Sequence, residues 1–455
     1  MGTKDYITAI EIGSSEVSGT VGITTYEGIK IIAYASEPVE GFISKGVVRN
    51  VDAASHCISN IINRLESQLN GVTIEKAYIT IGGLSVHSIK STVKREFDEY
   101  KKITSDIIES MAAENDKEFI VPEGYQKVQG VIQEYRLDDG TNVAPTGFHT
   151  RSIVGNYLNI VIKEQYMKQL TESFDMARVE IVDSFCAAKI DADILLSKDD
   201  KRNCALINMG AETTTISIYS NDILRKLVVL PIGGENITKD ICAENISREE
   251  AEQLKIFKGY NSNGGIDNSP VNTETLNKIL GARVGEILLN VKHQIEEGDN
   301  RVAQILFTGG GAKLKNLSKL IEEYLPSYST RIITEPSLNC FSDDSLHLAN
   351  GAITPTLFGL LSTGKENCCR EPQAKEPVVP VQTTLWGNEE EEQQQPIQPA
   401  EPEKKVEKEE AKEPKKPKNT KKPAWGNLFD NLLNKGRDFV SGIIEEEEDG
   451  HEDDN

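Results

Sequence analysis

Ile305-Leu306-Phe307-Thr308-Gly309-Gly310-Gly311-Ala312 is an apolar strand that runs into three glycines, with a helix-forming stretch, Leu314–Tyr324, directly behind it. Glycine alone lets a backbone approach a ring or a phosphate with no Cβ in the way. A helix starting near Lys313 adds the positive end of a dipole for an anion. By itself the segment also reads as a flexible strand-to-helix turn. Upstream, two strand–turn–strand units carry small polar bends. They are Ile10-Glu11-Ile12-Gly13-Ser14-Ser15 and Ile207-Asn208-Met209-Gly210-Ala211-Glu212-Thr213-Thr214. Such bends expose backbone N–H groups and can cradle an anion, although taken singly they also simply close hairpins. The two units echo each other at a separation of about two hundred residues, which points to a duplicated fold with two related halves.

The surrounding sequence, residues 1–365, reads as α/β. Strand-like runs fall at Tyr6–Ile12, Val17–Thr24, Ala77–Ile81, Tyr157–Ile162, Cys204–Asn208, Thr214–Tyr219, Lys226–Pro231 and Gln304–Phe307. Helical periodicity marks Ala53–Gln68, Ile107–Asn115, Glu164–Ala177, Ser247–Phe257, Thr275–Glu296 and Leu314–Tyr324. The chain has 455 residues and a formal net charge of −22, enough length for two to three domains and the wrong sign for general nucleic-acid binding. Seven cysteines with no CxxC or Cys/His spacing fit a reducing compartment better than a disulfide framework or a metal site. The first ten residues are too short and too charged for a signal peptide, and Tyr6 breaks the myristoylation pattern. No apolar run approaches the roughly 18 residues of a spanning helix.

The chain changes character at Glu366. Residues 366–455 carry 23 acidic and 13 basic side chains and nine of the 17 prolines. Residues 366–424 are dominated by Glu, Lys, Gln and Pro, cannot bury enough apolar surface to offset ordering, and read as a disordered linker. Apolar residues then return at 425–444, before the acidic tail 445–455. At 100° per residue, Trp425, Leu428, Phe429, Leu432, Leu433, Phe439, Val440, Ile443 and Ile444 share an arc of roughly 160°. Asn427, Asp430, Asn431, Asn434, Asp438 and Ser441 lie opposite, and Lys435 and Arg437 flank the apolar arc. Trp and Phe on that face suit a bilayer interface, with the upstream lysines 415, 416, 418, 421 and 422 near anionic headgroups. The alternative is a helix that docks in a protein groove.

The two polar bends and the glycine strand, in this order, resemble the phosphate loops and adenosine loop of the actin/Hsp70/hexokinase superfamily. Within it the chain resembles the FtsA family of bacterial cell-division proteins. The stretches Ile10–Val17, Val131–Tyr135, Pro231–Asp240, Glu250–Lys255 and Leu306–Leu314 carry the likeness across nearly all of residues 1–365, together with the linker and terminal helix. The resemblance implies an α/β, two-lobed actin-like (RNase H-like) ATPase fold with an inserted 1C subdomain. Subdomain 1A would occupy residues 1–83 and return at 161–203. The 1C insertion would span 84–160. The second lobe would occupy 204–365, with 2A, 2B at about 236–302, and a final return to 1A.

The resemblance also implies a site. Gly13, Ser14 and Ser15 would face nucleotide phosphates from one lobe, and Asn208, Gly210 and Thr213 from the other. Gly309 and Gly310 would lie against adenosine, with Gly234, Asn236, Glu252 and Lys255 nearby. Glu11 would hold a magnesium-bound water, making ATP with Mg the expected ligand. Three departures weaken the chemistry. Asn208 stands where the superfamily has Asp, and Asn cannot balance magnesium or act as a base toward water. Glu212 and Glu16 bring negative charge toward a triphosphate, unless they turn to solvent. The expectation is weak or absent hydrolysis, and no enzyme. By resemblance the partners are FtsZ, further copies of the chain in filaments, later division proteins through 1C, and inner-membrane lipid, with no nucleic acid. The location would be peripheral, on the cytoplasmic face of the inner membrane at the division site. An ATP-hydrolysing enzyme and a pilus-type scaffold of the same superfamily are the competing readings.

Overall fold

The computed structural model describes residues 5–142, 144–260, 270–297, 302–336, 340–342 and 353–371. Two sheets share one topology. In the first, Tyr6–Ile12, Glu16–Thr25 and Gly28–Pro38 form an antiparallel meander. Lys76–Ile81 pairs parallel on the free side of Tyr6–Ile12, and Glu180–Cys186 pairs parallel beyond it. In the second, Asn203–Met209, Thr214–Ser220 and Ile223–Leu230 repeat the meander. Gln304–Thr308 and Ser329–Ile332 repeat the two parallel additions. The echo between residues 10–15 and 207–214 is therefore a true repeat of fold. The first sheet also gains Cys340–Ser342, parallel to Gly28–Pro38.

The central strands are apolar on both faces because helices cover them. Tyr6–Ala9 and Ile10 are all buried, as expected where both faces of a sheet are covered. The helix Val51–Glu66 is capped by Asn50, whose side chain accepts from the Ala53 amide at 3.1 Å. Its buried stripe, Ala54, Ile58, Ile61, Ile62 and Leu65, packs on this sheet beside Glu164–Met176. The helix Thr273–Glu296 does the same for the second sheet through Leu276, Leu280, Val284, Ile287 and Val291. Ala187–Leu195 touches strands of both halves, and Pro355–Thr363 packs against it and on the first sheet. A shared core containing Ile81, Leu158, Ala192, Leu206, Leu224 and Leu306 joins the halves. No helix among the described residues is long and apolar enough to cross a membrane.

Between the first sheet and Glu164 lies a separate four-stranded sheet. Its order is Gly140–Asn142, Tyr125–Leu137, His149–Lys163, His87–Lys102, and the helix Ser105–Glu118 packs on it. Met111, Ile103, Tyr135, Ile153 and Tyr157 form its core. Ser91, Asn115 and Asn159 close a buried ring of side-chain hydrogen bonds at 2.6–2.9 Å. This sheet abuts the edge strand Ile223–Leu230. The Ser88 hydroxyl accepts from the Leu227 amide at 2.9 Å and the Gln133 amide donates to the Leu224 carbonyl at 3.0 Å. Covering that edge removes a template for unwanted strand pairing.

Four expectations need correction. The α-helix behind the glycines does not start near Lys313. Gly311–Lys313 is a single 3-10 turn, Leu314 adopts an extended ψ of 127°, and the α-helix is Leu317–Tyr324. The run 247–257 is an α-helix, Arg248–Gln253, followed by a π-helix, Leu254–Lys258. The linker does not begin at 366. Cys369–Arg370 pairs with Thr73–Ile74, and the Cys368 amide donates to the Tyr6 carbonyl at 2.7 Å. Cys368 and Cys369 are buried, so their apolar burial fastens this segment to the first half. The last strand of the four-stranded sheet runs to Lys163, past the expected limit of 160. The linker from 372, the helix at 425–444 and the tail at 445–455 lie outside the described residues.

Candidate functional site

The two polar bends are the same turn at equivalent places in the two sheets. The Gly13 amide donates to the Glu16 carbonyl at 3.1 Å, and the Gly210 amide to the Thr213 carbonyl at 2.8 Å. Each turn is framed by a strand pair, Ile12 with Val17 and Met209 with Thr214. The glycine strand arrives beside the second bend, with Asn208 in register with Thr308. Gly309 has a φ of 87°, and a Cβ there would sit 2.3 Å from Asn208 Oδ1 and 2.6 Å from the Met209 carbonyl oxygen. Its glycine is therefore demanded by protein packing. At Gly310 a Cβ would meet nothing within 4 Å, so this backbone faces open space.

Two carboxylates lie at the floor of this arrangement. Glu11, at the end of the first strand, is half-buried and accepts from the Thr354 hydroxyl. Burial pushes its carboxyl up to about 7; the Thr354 bond opposes this and the neighbouring Asp191 and Glu16 add to it. Asp191, on the Ala187–Leu195 helix, is buried. It accepts from Asn208 Nδ2 at 2.7 Å and from the Thr356 hydroxyl at 2.7 Å. Burial raises its carboxyl too, against those two bonds. Asn208 thus has a structural reason: its amide donates to a buried acid, where an Asp would set two carboxylates 2.7 Å apart. Asp191 belongs to no loop and so carries no motif of its own. Its signal is an acid on the otherwise apolar buried stripe of a helix that also carries Lys189 and Asp193, beside Ala188, Ala192 and Leu195.

The other departures have partners as well. Glu16 is raised by burial and opposed by the charge of Lys313, which lies in the glycine segment of the second half. Glu212 does not face solvent freely. Its carboxylate accepts from the Lys45 amide at 2.5 Å, while the next amide, Gly46, donates to Ser14 Oγ at 2.7 Å. Ser15 is exposed, and its carbonyl accepts from the Val39 amide at 2.9 Å.

The helix Gly234–Cys242 points its N-terminus at the second bend. Gly234 and Glu235 amides donate to the Gly210 and Ala211 carbonyls, at 3.0 and 2.6 Å. The Asn236 side chain turns back to accept from the Gly233 amide at 3.1 Å, so it caps its own helix. Lys255 donates to Glu252 at 2.7 Å, Thr238 at 2.9 Å and the Gly234 carbonyl at 3.3 Å. Burial raises the Glu252 carboxyl, but the bonds from Lys255 and Thr238 outweigh it and leave it below its ordinary value. The structure thus brings Glu11, Gly13, Ser14, Asn208, Gly210, Thr213 and Gly309 together at the two bends, with Gly234 and the Glu252–Lys255 pair behind the second bend. The candidate membrane residues Trp425, Leu428, Phe429, Leu432, Leu433, Lys435, Arg437, Phe439, Val440, Ile443 and Ile444 are outside the described residues.

The family model for cell division protein FtsA matches residues 205–346, which hold the second bend and the glycine strand. The chain is similar to FtsA cell division proteins in that region and beyond it. The cell division protein FtsA of Porphyromonas gingivalis is 28% identical over 357 residues, covering 70% of this chain and 71% of that protein. The Bacillus subtilis FtsA is 25% identical over 350 residues, covering 71% and 78%. Among solved structures, a chain of the PilM-PilN type IV pilus biogenesis complex superposes with a TM-score of 0.53 at 16% identity. That match covers 78% of this chain and 96% of the pilus protein. The fold is actin-like, and the relatives that the chain resembles are cell division proteins.

Proposed function

We propose that the chain couples FtsZ polymers to the cytoplasmic face of the inner membrane at the division site, attached peripherally through residues 425–444. The observation that carries this reading is an amphipathic run with Trp425 and Phe429 on its apolar face, placed beyond a Pro- and charge-rich segment of a chain that resembles cell division proteins. A single short helix of that kind gives reversible attachment. Copies joined in actin-like filaments present many helices, and avidity then makes attachment persistent. FtsZ would contact subdomain 2B, about residues 236–302, and later division proteins the four-stranded 1C sheet. The test is whether the chain carries FtsZ polymers onto anionic vesicles. FtsZ left in solution would reject the reading.

The residues at the two bends fit a nucleotide in part. Two matched turns and the open backbone at Gly310 suit phosphates and a base. Glu11 and Asp191 are the acids that would hold magnesium-bound water, and the metal would supply charge neutralisation for the phosphates. Ser14 and the turn amides would orient the phosphates, while Asn208 fixes Asp191 and supplies no carboxylate of its own. The nucleotide in this reading is a structural ligand that steadies the closed halves for filament assembly. Purified chain should bind ATP with turnover near the limit of detection. Brisk turnover abolished by Glu11→Ala would replace this reading with the enzyme.

A further inference from the structure

Strands Ile43–Ser44 and Val47–Val48 pair directly, Ser44 with Val47, leaving Lys45 and Gly46 as a two-residue hairpin turn. Both have positive φ, 53° and 71°, as the twisted two-residue hairpin turn requires. For lysine that is an uncommon backbone region, so the surroundings must hold it there. They do. The Leu84 amide donates to the Lys45 carbonyl at 2.8 Å, and a Cβ on Gly46 would stand 2.6 Å from Gly83 Cα. The turn is thus clamped from behind, and its two amides reach forward. Lys45 N–H is accepted by Glu212 of the second bend, and Gly46 N–H by Ser14 of the first.

We infer that Glu212 and the Lys45–Gly46 turn form a latch between the two halves, in which a protein carboxylate fills an anion site that a nucleotide's terminal phosphate would also seek. Two successive amides beside a hydroxyl are the chemistry that recognises a phosphate oxygen. Here one amide already holds a carboxylate carried on the second half. The halves therefore stay joined without any ligand, and a phosphate entering between the bends must displace Glu212 from Lys45. The competition with phosphate rests on the nucleotide reading above; the latch itself does not.

The test is hydrogen exchange on the full chain, with Glu212→Ala and the near-isosteric Glu212→Gln, together with titration by a fluorescent ATP analogue and magnesium. A latch predicts that exchange over residues 43–48 speeds about tenfold in Glu212→Ala and by less in Glu212→Gln, as expected for loss or weakening of one charge-assisted bond. Exchange in the Thr273–Glu296 helix should not change. Analogue affinity should rise about tenfold in Glu212→Ala. Should Glu212→Ala fail to fold, Glu212→Gln gives the same reading alone. Unchanged exchange over 43–48 in the folded variants would overturn the latch. Faster exchange with no analogue bound by any form would keep the latch and reject the nucleotide site.

Discussion

Leu432→Glu, or Phe429→Glu, should remove binding to anionic vesicles while leaving residues 5–371 folded. Each side chain lies near the middle of the apolar arc at 425–444. Burying a Leu or Phe contributes about 1.5–3 kcal/mol, and a carboxylate at the same point opposes insertion in its own right. The loss in partitioning should reach about 100-fold or more, as read by vesicle co-sedimentation, with an unchanged thermal transition. Asn434→Glu, on the opposite face, is the control and should bind almost as well as the parent. Equal losses from Asn434→Glu and Leu432→Glu would mean that charge alone, and no apolar face, governs the attachment.

Gly309→Ala should destabilise the fold by about 3 kcal/mol or more, and Gly310→Ala should have little effect. The two glycines are neighbours with opposite environments. A methyl group at 309 meets a carbonyl oxygen at 2.6 Å and Asn208 at 2.3 Å from a backbone with φ of 87°. At 310 the backbone is helical, with φ of −60° and ψ of −40°, and a Cβ has open space. Urea midpoints of the two variants, with m-values compared, make the test. Similar midpoints for both would mean that the glycine strand does not lie against the second bend as described.

What could be read from the residues was the part governed by local pattern. The two bends were visible at Gly13 and Gly210 because a strand, a small polar turn and a returning strand leave a fixed signature, and the sheets around them share one strand order. His87–Lys102 was missed because, as an edge strand of the four-stranded sheet, it keeps most of its residues in water. Its Lys, Glu and Asp residues hide the alternation that marks a half-buried strand. Asp191 was missed for a different reason. Its importance comes from where a crossing helix delivers it, against Asn208 and Thr356, and no spacing within its own segment encodes that meeting. The roles of Glu212 and Asn208 were likewise invisible. As single residues they look like damaged superfamily positions. In the fold they are bonded partners of Lys45 and Asp191. The composition break at Glu366 falls six residues early because, inside a polar stretch, Cys369–Arg370 pairs with Thr73–Ile74 and the buried Cys368 bonds the Tyr6 backbone.

The measurement that tests the central claim most directly is flotation of labelled FtsZ polymers with anionic liposomes. The full chain would be compared with the chain ending at residue 424, at concentrations that permit self-association. The account predicts that FtsZ rises with the liposomes only when the full chain is present. Trp425 emission, read in a Trp386→Phe background, should shift to the blue in the same fractions. FtsZ that floats equally well with the chain ending at 424, or that stays in solution with both, would contradict it.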